Sequence, residues 1–278
     1  MSSVHKVAQT GFGTGTNELY DRARPSYQPF ALDFIRESVR ASGPLNIVEI
    51  GSGTGIFTRA LLADTKWNHI IKELRAYEPS EGMRDVFRKT VKDDRISVAE
   101  GYFDSIDVED SWADLVVIAQ AFHWCPDYSA AAKEFARVLK PDGVVALIWN
   151  LEDRETATWT AQIRDLIEVH EQGTPQYRHN YWRQLFETPA YKQSFESPKE
   201  KKWSYHLVGT KDSAVERALS KSYIAILPDE KKQEISEEIR RIIDNDSNKV
   251  WINEKEGEFE YPYKTDVVIC YKKEGGQS

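Results

Sequence analysis

Three glycines at alternate positions mark the segment Val48-Glu49-Ile50-Gly51-Ser52-Gly53-Thr54-Gly55-Ile56-Phe57. Without Cβ atoms such a loop can turn tightly and lay its backbone against a ligand. A helix starting just beyond it offers unpaired N–H groups and a partial positive charge, which suits a nucleotide or a ligand carboxylate. A dinucleotide loop wants G-x-G-x-x-G. Here Ile56 holds the place of the third glycine, and the loop reads G-x-G-x-G, preceded by Glu49. A second acid, Glu78, closes the next expected strand, where a carboxylate can accept hydrogen bonds from both hydroxyls of a ribose. Dinucleotide folds use an acid there too, so the glycine spacing, and not Glu78, separates the two ligand classes.

A second group with chemical capacity is Gln120-Ala121-Phe122-His123-Trp124. It follows an apolar run at the carboxyl edge of the expected sheet, where ligands bind in open α/β folds. His123 is the best candidate for a general base; its other reading is a loop cap that satisfies a backbone carbonyl. Tyr20, Arg24 and Tyr27 are spaced to let an N-terminal helix or loop close over a ligand, with Arg24 able to hold a carboxylate bidentately. Arg24-Pro25 could equally end a helix and pair with a local acid. Upstream, Gly11-Phe12-Gly13-Thr14-Gly15 mimics a nucleotide loop, but no strand precedes it, which predicts a hinge. Arg154, His170, Arg178, His179, Tyr181, Trp182 and Arg183 could build an aromatic, locally basic lid, although each alone also reads as surface or core. The histidines show no HxH or HxxxH spacing, so no metal site is expected.

The elements that would position these groups follow from periodicity. Short apolar strands are expected at 46–50, 75–78, 96–100, 113–120 and 144–149, alternating with helices at 56–63, 81–91 and 130–139. Lys140-Pro141-Asp142-Gly143 is a strong turn signal. The alternation implies a parallel sheet with right-handed crossovers. Beyond Asn150 the texture changes. Helices are expected at 156–171, 211–226 and 230–244, the last with Ile235, Ile239, Ile242 and Ile243 on one face. Residues 173–202 read as irregular, 203–207 and 265–271 as strands, and 272–278 as a frayed tail. No internal repeat is visible.

Composition bounds the function. The 278 residues carry a net charge of −8, with 40% hydrophobic and 12% aromatic residues, enough for a folded core. The acidic balance argues against broad contact with nucleic acid. Cys125 and Cys270 form no CxxC pair, which suits a reducing compartment. Met1–Lys6 leads into no apolar signal region, and the apolar stretches are far shorter than the roughly 20 residues of a membrane span. A cytoplasmic protein without membrane contact is the expectation.

The glycine segment, Ala76–Met83 (AYEPSEGM), Gln120–Trp124 (QAFHW) and Glu134–Asn150 (EFARVLKPDGVVALIWN) resemble successive motifs of class I S-adenosylmethionine-dependent methyltransferases. The trans-aconitate methyltransferase group of the methyltransferase type 11 family is most similar. YDRARPSY at Tyr20–Tyr27, SKSYIAILP at Ser220–Pro228 and YPYKTDV at Tyr261–Val267 resemble its flanking pieces. The resemblance implies a Rossmann-like α/β fold with helical cap elements. Its sheet would have seven strands, mostly parallel, with an antiparallel last strand inserted between two earlier ones. One methyltransferase domain would span 1–278, with an N-terminal cap at 1–44, a cofactor-binding core at 45–150, and an acceptor-binding insert with the C-terminal strands at 151–278.

The resemblance also assigns roles. Gly51, Ser52, Gly53 and Gly55 would bring the backbone to the amino-acid part of S-adenosylmethionine, and Glu49 would fix its ammonium. Glu78 would hold the ribose, with Met83, Tyr102 and Phe103 near the adenine; Tyr102 stands where many relatives have a small or acidic residue. Gln120 and Ala121 would face the methyl donor, with Tyr20 aimed at the methyl. Arg24, Tyr27, Trp124 and Asn150 would meet the acceptor. The expected activity is in-line methyl transfer to a small organic molecule, a carboxylate, hydroxyl or other secondary-metabolite acceptor. It would work mainly through positioning, in a monomer or homodimer. The alternatives are a catalytically inactive S-adenosylmethionine-binding regulatory protein and an NAD-dependent oxidoreductase.

Overall fold

The computed structural model describes residues 17–273; the expected hinge at 11–15, the N-terminal segment and 274–278 lie outside them. The chain opens with helices α1 (Asn17–Ala23) and α2 (Pro29–Ser38). The first half of the sheet then alternates β1 (Leu45–Ile50), α3 (Ile56–Ala63), α4 (Thr65–Asn68), β2 (Ile71–Tyr77), α5 (Glu81–Thr90), β3 (Ile96–Ala99), β4 (Ala113–Ala119), α6 (Tyr128–Val138) and β5 (Leu139–Glu152). The remainder comprises α7 (Thr158–Glu168), α8 (Pro189–Ser194), β6 (Lys199–Gly209), α9 (Lys211–Leu219), α10 (Ser222–Ala225), α11 (Asp229–Asn245), β7 (Trp251–Asn253) and β8 (Glu258–Tyr271).

Strands β1 and β4 are buried along their whole length, as a sheet covered on both faces requires. Alternate side chains enter different cores. Val48, Ile50, Val116, Ile118, Leu147 and Trp149 pack with α6 on one face. Ile47, Leu115, Val117, Ala146 and Ile148 meet α2 and α3 on the other. The strand order is β3-β2-β1-β4-β5-β8-β6, with β7 paired to the start of β8. Strands β1 to β5 pair in parallel, and β8 runs antiparallel between β5 and β6. The inserted antiparallel last strand is therefore present, and the short β7 makes the sheet 8-stranded instead of seven-stranded.

The C-terminal strands outrun the periodicity. Beyond the last parallel contact, β8 carries Phe259, Tyr261 and Tyr263 into a separate core with Trp159, Ile163 and Ile167 of α7, Val215 and Ala218 of α9, and Ile235, Ile239 and Ile243 of α11. This cap sits at the edge where β5 continues to Glu152. The turn signal at 140–143 proves to be a bulge within β5: pairing steps from Ala113–Leu139 to Leu115–Val144, so the intervening residues loop out of a continuous strand. The helix expected over 211–226 breaks because Lys221 takes an extended conformation between α9 and α10. Lys272 is not frayed. It is buried, and its Nζ donates to the carbonyls of Ala136 and Leu139 at 2.6 and 2.7 Å, satisfying the end of α6.

Helix α1 is pinned on two sides. Asp21 pairs with Arg59 of α3 at 2.7 Å, and Arg22 with Glu216 of α9 at 2.8 Å. That places Tyr20 over the carboxyl edge of the sheet. Among the described residues, no helix is long and apolar enough to cross a membrane.

Candidate active site

Every parallel strand delivers its following residues to one edge. After β1 the chain turns through Gly51, Gly53 and Gly55, all with positive φ. A Cβ on Gly51 would lie 2.5 Å from the Cβ of Ala121, so only glycine lets the loop pass the end of β4. Gly55 caps α3, and its Cβ would meet Val91 at 2.8 Å and Phe87 at 2.9 Å. Gly51 and Gly53 line a cavity, whereas Gly55 serves to seat the loop on α5. Its neighbour Thr54 lines a smaller recess beside the loop.

The cavity beside the loop is bounded by Glu78, Met83, Tyr102, Phe103, Gln120 and Ala121. The Glu78 carboxylate accepts the Gly53 N–H at 3.0 Å on Oε2 and the Ser80 N–H at 2.9 Å on Oε1. Burial pushes its pKa up, against the pull of those two N–H groups. Tyr102 donates its hydroxyl to Glu100 at 2.7 Å, and Phe103 packs edge-on against buried Phe122.

A smaller recess continues between the loop and α1, lined by Tyr20, Tyr27, Glu49, Ser52 and Thr54. Thr58 donates to Glu49 Oε2 at 2.5 Å. Glu49 Oε1, Ser52 Oγ and Thr54 Oγ1 are buried with no hydrogen-bond partner among the described residues. Burial, and secondarily Glu78, push the Glu49 carboxyl up to about 8 although Thr58 opposes them. Unpaired buried polar atoms are costly and call for a partner. One carboxylate oxygen and two hydroxyls in one recess match the ammonium and carboxylate of an amino acid, so these residues fit the methionine end of S-adenosylmethionine. Tyr27 stands against Phe57 in this recess, away from the acceptor side where it was expected.

On the far side of Tyr20, Gln120 and Trp124 lies a second cavity. Gln120 takes a positive φ at the end of β4 and donates Nε2 to the Asn150 carbonyl at 2.6 Å. The Asn150 side chain is itself engaged at both ends, donating to Ser26 O at 3.3 Å and accepting from Thr265 at 2.6 Å. His123 lines this cavity, and its Nδ1 accepts the Trp149 indole N–H at 3.4 Å. Burial, then Arg24, Lys221 and His179, push the His123 pKa down to about 3.

The cavity wall is cationic. Arg24, Arg164, Arg178, Arg217 and Lys221 all line it. Buried Glu152 anchors three of them, with Arg164 at 3.1 Å, Arg217 at 3.1 Å and Lys221 at 3.0 Å. Burial alone would raise the Glu152 pKa, but Arg217, Lys221 and Arg164 outweigh it and hold it well below its ordinary range. Burial, then Arg164 and Arg217, work against the charge on Lys221, and Glu152, 3.0 Å from its Nζ, holds it as the ammonium half of the pair. Burial, then Arg217, lowers Arg24 to about 10, and its guanidinium lies 4.5 Å over the Tyr20 ring. Arg24 Nε, Arg217 Nη1 and Tyr223 OH are buried donors without a partner among the described residues.

Of the aromatic, basic residues expected to form a lid, Arg178 lines the cavity. Trp182 is core, Arg183 pairs with Glu200, Arg154 pairs with Asp165 and Glu168, and Tyr181 is exposed. Sequence reasoning missed Thr54, Glu152, Arg164, Arg217, Lys221 and Tyr223. Lys221 and Tyr223 fall inside the SKSYIAILP segment, which was the one available signal. No cluster of three or more metal-ligating side chains occurs among the described residues.

Comparison with known proteins gives a matching family model, described as a methyltransferase domain, over residues 48–147. The uncharacterized methyltransferase-like protein C25B8.10 of Schizosaccharomyces pombe is 34% identical over 60% of this chain and 62% of its own length. The chain spans about three fifths of the length of the curated relatives it matches. Among solved structures, the YcgJ protein of Bacillus subtilis aligns with a TM-score of 0.54 and 16% identity over 89% of this chain and 100% of its own. A Haemonchus contortus phosphoethanolamine N-methyltransferase, solved with phosphomonomethylethanolamine and S-adenosylhomocysteine, aligns with a TM-score of 0.54 and 14% identity, covering 92% and 57%. These two likenesses support the same sheet architecture.

Proposed function

We propose that this chain, a member of the class I methyltransferase family through its domain at residues 48–147, transfers a methyl group from S-adenosylmethionine to a small anionic organic acceptor. The observation that carries the reading is the meeting of two unlike cavities at Tyr20, Gln120 and Trp124. One holds an acid for a ribose and an unpaired amino-acid cradle; the other is walled by cations.

When bound, S-adenosylmethionine supplies a methyl group on a sulfonium, activated without metal or covalent help. The work left to the chain is binding and orientation. Glu49 Oε1 would accept from the ammonium, and the Ser52 and Thr54 hydroxyls would donate to the carboxylate. Glu78 keeps lone pairs on both oxygens for the ribose hydroxyls. Tyr20 and Trp124 would wall the methyl path and exclude water. Arg24, Arg217 and Tyr223 present unpaired donors to an acid, the pairing in which arginine is strongest. Orienting a nucleophile in line can lower a barrier by about 7–11 kcal/mol in favourable cases.

Calorimetric titration with S-adenosylhomocysteine and with NAD tests the cofactor half. The product analogue should bind and NAD should not. Binding of NAD alone would replace this reading with an oxidoreductase.

A further inference from the structure

We infer that His123 meets the acceptor as a hydrogen-bond donor through Nε2, held in that tautomer by Trp149, and that the site therefore selects acceptors whose attacking oxygen is already ionised. The acceptor half of this inference rests on the methyl-transfer reading above; the tautomer half does not.

An indole nitrogen can only donate. The Trp149 N–H points at His123 Nδ1, so Nδ1 must present its lone pair. A neutral imidazole has one N–H, which then belongs to Nε2. Trp149 cannot turn away: it is fully buried, with its ring centroid 4.7 Å from that of Tyr177 and 4.6 Å from that of Trp182. A second proton on Nδ1 would set N–H against N–H, with Arg24 and Lys221 adding positive charge around the ring. Nε2 has no hydrogen-bond partner among the described residues, and the ring lines the acceptor cavity.

This arrangement leaves little to take a proton. Glu152 is committed to three cations, and the Lys221 Nζ lies 3.0 Å from both Glu152 oxygens. A carboxylate acceptor needs no base. One of its oxygens gives an electron pair to the methyl carbon, and the carbon–sulfur bond breaks with its pair left on sulfur. The sulfonium and carboxylate charges vanish together, and no proton is released. The other carboxylate oxygen can take the His123 N–H, which orients the attacking one. An alcohol would have to shed a proton, and the missing base would cost it about 10²–10⁴-fold.

The tautomer is read from two-bond ¹H–¹⁵N correlations of the imidazoles in the ligand-free protein, with His123 assigned by its loss in His123→Gln. The expected result is an Nε2–H tautomer that does not titrate between about pH 5 and 8, with Trp149→Phe moving the ring toward a mixture. An Nδ1–H tautomer, or titration near the ordinary histidine value, overturns the inference whatever the activity. In turnover assays, His123→Ala should lower kcat/KM for an acid about 10–100-fold, the worth of a hydrogen bond to a charged group. His123→Gln, whose amide can place an N–H where Nε2 stands, should recover to within about 3-fold, and His123→Asn should not. The kcat profile should be flat from about pH 6 to 9, and a matched alcohol should react at least about 100-fold more slowly. A profile that rises through that range, or equal rates for alcohol and acid, overturns the acceptor half. Absence of transfer to any acid removes that half together with the reading it rests on, and the spectrum still decides the tautomer.

Discussion

The backbone N–H of Gly53 donates to Glu78 Oε2 at 3.0 Å, tying the middle of the glycine loop to the residue that follows β2. The Ser80 N–H takes the other oxygen at 2.9 Å. The carboxylate is thus oriented by backbone groups before any ligand arrives. Both oxygens keep lone-pair capacity facing the cavity, since an ionised carboxylate can accept about four hydrogen bonds. Preorganisation of this kind lowers the ordering cost of binding.

Removing that carboxylate should therefore be felt in binding. Glu78→Ala is expected to weaken S-adenosylhomocysteine by about 1.5–3 kcal/mol, the usual worth of hydrogen bonds to a charged group. Calorimetry measures it directly. An unchanged Kd would mean that Glu78 does not hold the ribose.

Glu49 predicts a pH effect whose sign follows from its burial. Its carboxyl is raised from 4.5 to about 8, so over that window the folded protein binds more protons than the unfolded chain. Stability from this group is fully present below the unfolded value and falls as pH rises through the window. An ammonium placed beside Oε1 favours the ionised form and expels the proton. Calorimetry near pH 7 in two buffers of different ionisation enthalpy should show release of up to about one proton in the wild type. Glu49→Gln should abolish that release and flatten the loss of stability; buffer-independent heats for the wild type would contradict the assignment.

The loop glycines should differ in cost. Gly51→Ala forces a Cβ to within 2.5 Å of the Ala121 Cβ at φ +71, whereas the nearest neighbour of a Cβ on Gly53 is Met83 Sδ at 4.0 Å. Overpacking at Gly51 should cost about 1–3 kcal/mol beyond the conformational strain that both variants share. Urea denaturation of the two variants tests this ordering. Equal midpoints would show that the loop yields at Gly51.

The parallel half of the fold was legible because each buried strand is short, β-branched and followed by a helix, and the glycine loop fell between the two. Glu49, Gly51, Gly53, Glu78 and Gln120 could be placed for the same reason: each lies in the last residues of a strand, just after a strand end, or in the loop. The acceptor wall could not be read this way. Arg164, Arg217 and Lys221 sit on or beside different helices and converge only because β5 and β8 extend far enough to bring Glu152 beneath them. No local spacing encodes that. Lys272 was misread as part of a frayed tail because its partners, the Ala136 and Leu139 carbonyls, are distant in sequence.

The same convergence makes Glu152 structurally expensive to remove. Glu152→Gln leaves Arg217, Lys221 and Arg164 buried without their common counter-ion. Breaking such a buried pair typically costs about 3–5 kcal/mol. Chemical denaturation should show the loss near neutral pH. In the wild type the stabilisation should vanish only as pH falls well below the ordinary carboxylate range, because Arg217 and its neighbours keep Glu152 ionised. A variant as stable as the wild type would mean that the cluster is solvated.

The central claim is tested most directly by incubating the protein with methyl-labelled S-adenosylmethionine and a panel of small carboxylic acids alongside their matched alcohols. The account predicts label in the acids as base-labile methyl esters, with S-adenosylhomocysteine formed in equal amount. Binding of S-adenosylhomocysteine without transfer to any member of the panel would contradict it.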